Sequence, residues 1–156
     1  MIKIILAVVL ASTILLSYEM DFTKETKCVV RQMKVYKDPQ WVSKIELTNG
    51  KKLFFLTPKS MIEFYLRPGK WYDIGIKSES DMKDVLVTDF DTLKPINARG
   101  AFYVYGSNIT SPAGDDLPAF ATYEAAEKYS KAHNGKRIMN LNDISDALIR
   151  LINGRI

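Results

Sequence analysis

From Trp41 to Leu47 apolar and polar residues alternate, with Val42, Ile45 and Leu47 on the apolar side, and a second strand-like run follows from Lys51 to Leu56. Asn49-Gly50 lies between them, and an Asn-Gly step between two such runs is a strong hairpin signal because both residues tolerate a positive φ. The period then changes. Thr57 is placed to cap a helix with Pro58 at its first position, Met61, Phe64 and Tyr65 fall at helical spacing, and Pro68-Gly69 ends it. The polar stretch from Lys70 to Lys83 is irregular apart from Trp71, Tyr72, Ile74 and Ile76, which are expected to add a short strand or to pack over the sheet, and Asp84 to Phe90 is a further strand.

The second half runs through a similar series. Strands are expected at Ala98 to Tyr105 and, after a loop through Gly114, at Leu117 to Ala121; Thr122 caps a helix from Tyr123 to His133, and Gly135 stops it. Arg137 to Leu141 makes the closing strand. Asn142 is then expected to cap a last helix whose Ile144, Ala147, Leu148, Leu151 and Ile152 form one apolar face, with Gly154 just past its end. Thr57 answers Thr122 at an offset of 65 positions, and Phe64 answers Tyr129 at the same offset. The expected fold is therefore α+β, a tandem pair of small β-β-α-β units packed as one compact protein with a C-terminal helix. Residues 28–96 form the first unit and 97–156 the second.

Ahead of the units, Lys3 is followed by an uncharged apolar run from Ile4 to Leu16, the two leading parts of a secretory signal. Residues 1–17 are read as that signal and 18–27 as a linker. The run falls short of the roughly 20 residues of a spanning helix. Cleavage is expected near Ser17, yet Leu15-Leu16-Ser17 is a poor small-residue site, which leaves an uncleaved membrane anchor as the alternative.

With 156 residues, 47% of them hydrophobic, the chain can bury a substantial core. Its formal charge of +4 is spread along the chain and interleaved with acids such as Asp115, Asp116, Glu124 and Glu127, so no nucleic-acid footprint is present. Cys28 is the sole cysteine, which excludes an intramolecular disulfide and leaves a thiol that is buried, reactive or bound to something. The polar Glu25, Thr26 and Lys27 before it do not suit lipid attachment. His133, the one histidine, falls in the last turn of its helix, where an imidazolium meets the negative end of the helix dipole. No signature of a nucleophilic Cys-His pair surrounds either residue, and a non-enzymatic role is expected.

The segment ARGAFYVYGSNITSPAGDDLPAFATYEAAEKYSKAHNG, Ala98 to Gly135, closely resembles the NosL family, whose pattern is roughly AxYVxGS, a Pro-Met-Gly loop, AF, and a helix ending in Gly. KCVVRQMKVYKDPQW resembles the Cys-x-x-Cys-Gly-Met and Pro-x-Trp found near the start of many members. Cys28, Met33, Pro39 and Trp41 match; Arg31 and Gln32 stand for the second Cys and the Gly, and Ala113 for the loop methionine. Met61 falls where relatives carry Pro-x-x-Met at a helix start.

The resemblance implies a periplasmic copper(I)-binding accessory protein that delivers copper for the copper sites of nitrous oxide reductase. Its partner would be that enzyme or its membrane-bound maturation complex, with peripheral membrane association as a further expectation. Copper(I) favours thiolate and thioether donors, so the implied ligands are Cys28, Met33 and Met61. A guanidinium at Arg31 cannot bind a cation, so binding is expected to be weaker than in a full-motif relative. Two other readings stay open: Met61 as a core methionine packed with Phe64 and Tyr65, and a module that kept the fold, lost the metal and serves as an interaction scaffold.

Overall fold

Residues 17–155 are described by the structure, a computed structural model. The expected signal over residues 1–17 lies, except for Ser17, outside them. Gly50, at φ 85°, closes a hairpin between β1 (Ser43–Leu47) and β2 (Lys52–Phe55), in which Ile45 faces Leu53 and Ser43 faces Phe55. The alternation read from the sequence puts Ile45, Leu47, Leu53 and Phe55 inside. Thr57 then caps α1 (Pro58–Leu66), its hydroxyl accepting the Ser60 N–H at 3.2 Å. Every residue of α1 from Pro58 to Phe64 is buried, including the polar Lys59, Ser60 and Glu63.

The stretch from Lys70 to Lys83 forms 3-10 turns that pack over the first layer, with the Trp71 ring 5.2 Å from that of Phe64 and Ile76 buried. Met82, read as following that linker's irregular course, instead opens β3 (Met82–Thr88) as a buried residue. β3 pairs with the free side of β1, and β4 (Pro95–Asn97), which the sequence pattern did not reveal, pairs with β3. The first sheet is antiparallel with the order β2-β1-β3-β4.

The second sheet is shorter than its sequence pattern suggests. β5 covers only Phe102–Tyr105, because Ala98–Gly100 folds into a 3-10 turn on the Asn97 side chain and Tyr103 Oη donates 2.8 Å to the Ala98 carbonyl. β6 is reduced to Ala119–Phe120, since Pro118 has no N–H to give the ladder. α2 (Tyr123–Ala132) follows under its Thr122 cap, then β7 (Arg137–Met139). The order β6-β5-β7 repeats β2-β1-β3 of the first sheet.

The expected cap at Asn142 is not the one used. Leu141–Asp143 is a separate turn capped by Asn140, Ile144 is extended, and α3 (Asp146–Ile152) starts under Ser145, whose hydroxyl accepts the Leu148 N–H at 3.1 Å. In α3 the buried residue is Ile149, and Leu151 is exposed, a correction to the expected apolar face. One hydrophobic cluster runs through both sheets, from Cys28, Val35 and Phe64 to Tyr103, Leu117 and Ile149. The sheets also touch through a parallel bridge between Asp89 and Ala119.

Candidate metal centre

Cys28 opens a tight loop. Its N–H donates to the Met33 carbonyl at 2.8 Å, its carbonyl accepts the Gln32 N–H at 2.8 Å, and Lys27 and Lys34 bridge outside that pair. Gln32 turns the chain with a left-handed φ of 60°, where relatives of the quoted pattern have glycine. The loop is pinned to β2 by the Val29 N–H on the Phe54 carbonyl at 2.9 Å.

Within this loop the Cys28 side chain turns inward and is fully buried, its Sγ accepting the Arg31 N–H at 3.3 Å. Met33 turns the other way and is 50% exposed. Met61 is fully buried on α1, in the same core cluster as Cys28. The fold thus joins the Cys28 and Met33 main chains, keeps Cys28 and Met61 in one core, and leaves the Met33 thioether in solvent. A cleft of about 360 Å³ borders the loop, lined by Cys28 with Lys27, Gln32, Lys52, Trp71 and Asp73.

The departures from the quoted pattern have structural partners of their own. Arg31 Nε donates to Ser60 Oγ at 3.2 Å and its NH2 group to Asn153 Oδ1 at 2.5 Å, which ties the loop to α1 and to the end of α3. Ala113 meets the same helix one residue earlier: Lys59 Nζ donates 2.7 Å to the Ala113 carbonyl, and 3.4 Å to that of Ile152. Asp116 completes this joint. Its carboxylate accepts the Lys59 and Leu117 N–H groups, each at 2.9 Å, and the Ser111 hydroxyl at 2.8 Å. Loss of water pushes the Lys59 pKa down, with Asp116 pulling it back, and pushes the Asp116 pKa up against its backbone donors.

His133 caps the end of α2 and lies with its ring 4.5 Å from that of Tyr129, beside the smaller cluster of Val104, Phe120 and Ala126. Among the described residues no three His, Cys, Asp or Glu side chains gather to hold a metal ion.

A polar joint around α1, made of Arg31, Lys59, Glu63, Asp116 and Asn153, was not legible in the pattern. The one hint was Lys59-Ser60 in the first turn of a helix flanked by apolar runs, and only the arrival of two remote loops makes it a buried site.

The family model described as NosL matches residues 19–149. This chain belongs to the NosL family. The crystal structure of the copper chaperone NosL from Shewanella denitrificans superposes with a TM-score of 0.70 at 22% identity, covering 84% of this chain and 98% of that one, which establishes the shared fold. The solution structure of apo-NosL from Achromobacter cycloclastes matches at 24% identity over 69% of this chain and 87% of its own, with a TM-score of 0.42. No curated protein matches the sequence.

Proposed function

We propose that this NosL-family protein binds copper(I) and hands it on for maturation of the copper sites of nitrous oxide reductase, without catalytic turnover. It would act in the periplasm after export, beside that enzyme or its membrane-bound maturation complex. The observation that carries this reading is the closed Cys28–Met33 loop, which holds one thiol and one thioether on a single short segment. Thiolate and thioether are the donors that suit a soft monovalent ion and discriminate against harder metals.

In this reading Cys28 provides the anionic ligand and gives up its proton on loading. Met33, half exposed, is the donor that meets an incoming ion or an acceptor's ligand, and Met61, buried on α1, is the third sulfur that the family resemblance implies. Transfer then proceeds by exchange of one sulfur at a time, and the only other bond that changes is the Cys28 S–H, whose proton goes to solvent on loading and returns from it on release.

Titration of the exported form with copper(I) against a chromophoric competing chelator tests this. The wild type should take one ion per chain. Cys28→Ser should lose more than the roughly 10- to 100-fold that even an outer-shell partner is worth, and Met33→Leu should lose less than Cys28→Ser. Equal affinity of wild type and Cys28→Ser would overturn the assignment. Failure of the wild type to bind copper(I) would favour the metal-free interaction module.

A further inference from the structure

We propose that Arg31 is a latch that keeps the Cys28 sulfur shut, with Asn153 at the end of α3 as its catch. This rests on the reading of Cys28 as the metal-binding thiol, and names what controls access to it.

The latch starts at the sulfur. The Arg31 N–H sits on Cys28 Sγ at 3.3 Å, so the sulfur stays covered for as long as the Arg31 main chain stays where it is. The side chain of the same residue holds that main chain in place. Its Nε donates to Ser60 Oγ on α1, an oxygen that also receives the Thr57 hydroxyl at 3.2 Å, and its NH2 group donates to Asn153 Oδ1.

Asn153 works as an adaptor because an amide has both an acceptor and a donor. Its oxygen takes Arg31, and its Nδ2 donates 3.1 Å to Glu63 Oε2. Glu63 is an α1 carboxylate with only 5% of its side chain exposed, and three cations share it: Arg155 at 2.5 Å, Lys70 at 3.8 Å and Arg31 at 4.0 Å. A buried carboxylate stays in place when it is surrounded in this way, so the catch is fixed to both α1 and the chain's last residues.

The consequence is a thiol that is reached by local opening of the Cys28 loop rather than through global unfolding. Loading requires the Arg31 amide to leave the sulfur, and the strength of the guanidinium's bonds to Ser60 and Asn153 sets how often that happens. The position that the family pattern gives to a second cysteine is in this chain a gate on the first.

The test is the rate at which an uncharged alkylating reagent, N-ethylmaleimide, labels Cys28 in the metal-free full chain under native conditions. Asn153→Ala and Arg31→Ala should each speed labelling by roughly 10- to 100-fold, the range that follows from losing a hydrogen bond to a charged group. Hydrogen exchange of the Arg31 amide should accelerate in parallel. Asp146→Asn is the control, because the Arg67–Asp146 pair also ties α1 to α3 but has no part in the loop. Labelling at the wild-type rate in both latch variants would overturn the proposal, as would an equal acceleration by Asp146→Asn at matched urea midpoints. No copper enters this measurement, so its failure is separate from failure of the copper titration.

Discussion

At the scale of single residues, charge is handled by burial with partners supplied from a distance. Lys44, in β1 and 3% exposed, donates 2.7 Å to Asp21 Oδ1 and 2.7 Å to the Glu19 carbonyl. Lys52 on the neighbouring strand reaches the same carboxylate. Partial burial raises the pKa of Asp21, but the hydrogen bonds from Lys44 and Lys52 outweigh it and hold the carboxyl down at about 2. A carboxyl with a lowered folded pKa stabilises the fold above its unfolded value of 3.8 and loses that contribution as the pH falls toward about 2. Asp21→Asn should therefore cost about 0.5–1 kcal/mol at pH 7 once solvent screening of the exposed carboxylate is counted, from urea midpoints, and the gap to wild type should close progressively below pH 4. A gap that stays constant down to pH 2 would rule out the Asp21 carboxylate as its source. None of this pairing is visible in the sequence, where Asp21 precedes the first strand by some twenty positions.

At the scale of elements, most of what formed was legible. The Asn-Gly hairpin and both threonine caps follow from rules that act within a few residues of chain, whereas the left-handed residue that ends α2 is Asn134, at φ 56°, and not the expected Gly135. What shifted were ends: β5 and β6 shortened, and α3 moved its cap from Asn142 to Ser145, because several polar residues in a row can each cap and tertiary contact chooses among them. The two matching caps give a prediction. Thr57 and Thr122 each accept a backbone N–H three residues on, at 3.2 Å, but Thr57 is fully buried and its hydroxyl also holds Ser60 for Arg31, whereas Thr122 is exposed. Thr122→Ala should cost about 0.5–1 kcal/mol and Thr57→Ala about 1–2 kcal/mol, measured by denaturant unfolding. Equal costs would mean that the Ser60 link carries no weight. Thr57→Ala should also hasten Cys28 labelling, since it loosens the seat of the Arg31 side chain.

At the scale of the whole molecule, the two sheets with matching strand order share one core, so they should unfold together. Trp71 packs on Phe64 over the first sheet and Trp41 on Phe90, whose ring contacts Phe120 and Tyr129 of the second. Tryptophan fluorescence and far-ultraviolet circular dichroism should give coincident urea transitions. Separated midpoints would show that the halves hold their structure independently. For this chain the sequence by itself determined the α+β class, the order of the main elements and the family, because alternation, capping and turn chemistry are local and the Ala98–Gly135 pattern is contiguous. Only the tertiary structure decided that Cys28 points inward while Met33 points out, that Arg31 is anchored on α3, and that Lys59 and Asp116 are buried. Each of these depends on groups from segments tens of residues apart meeting at the start of α1. Whether a polar side chain there faces water or a partner is set by the packing of the whole chain.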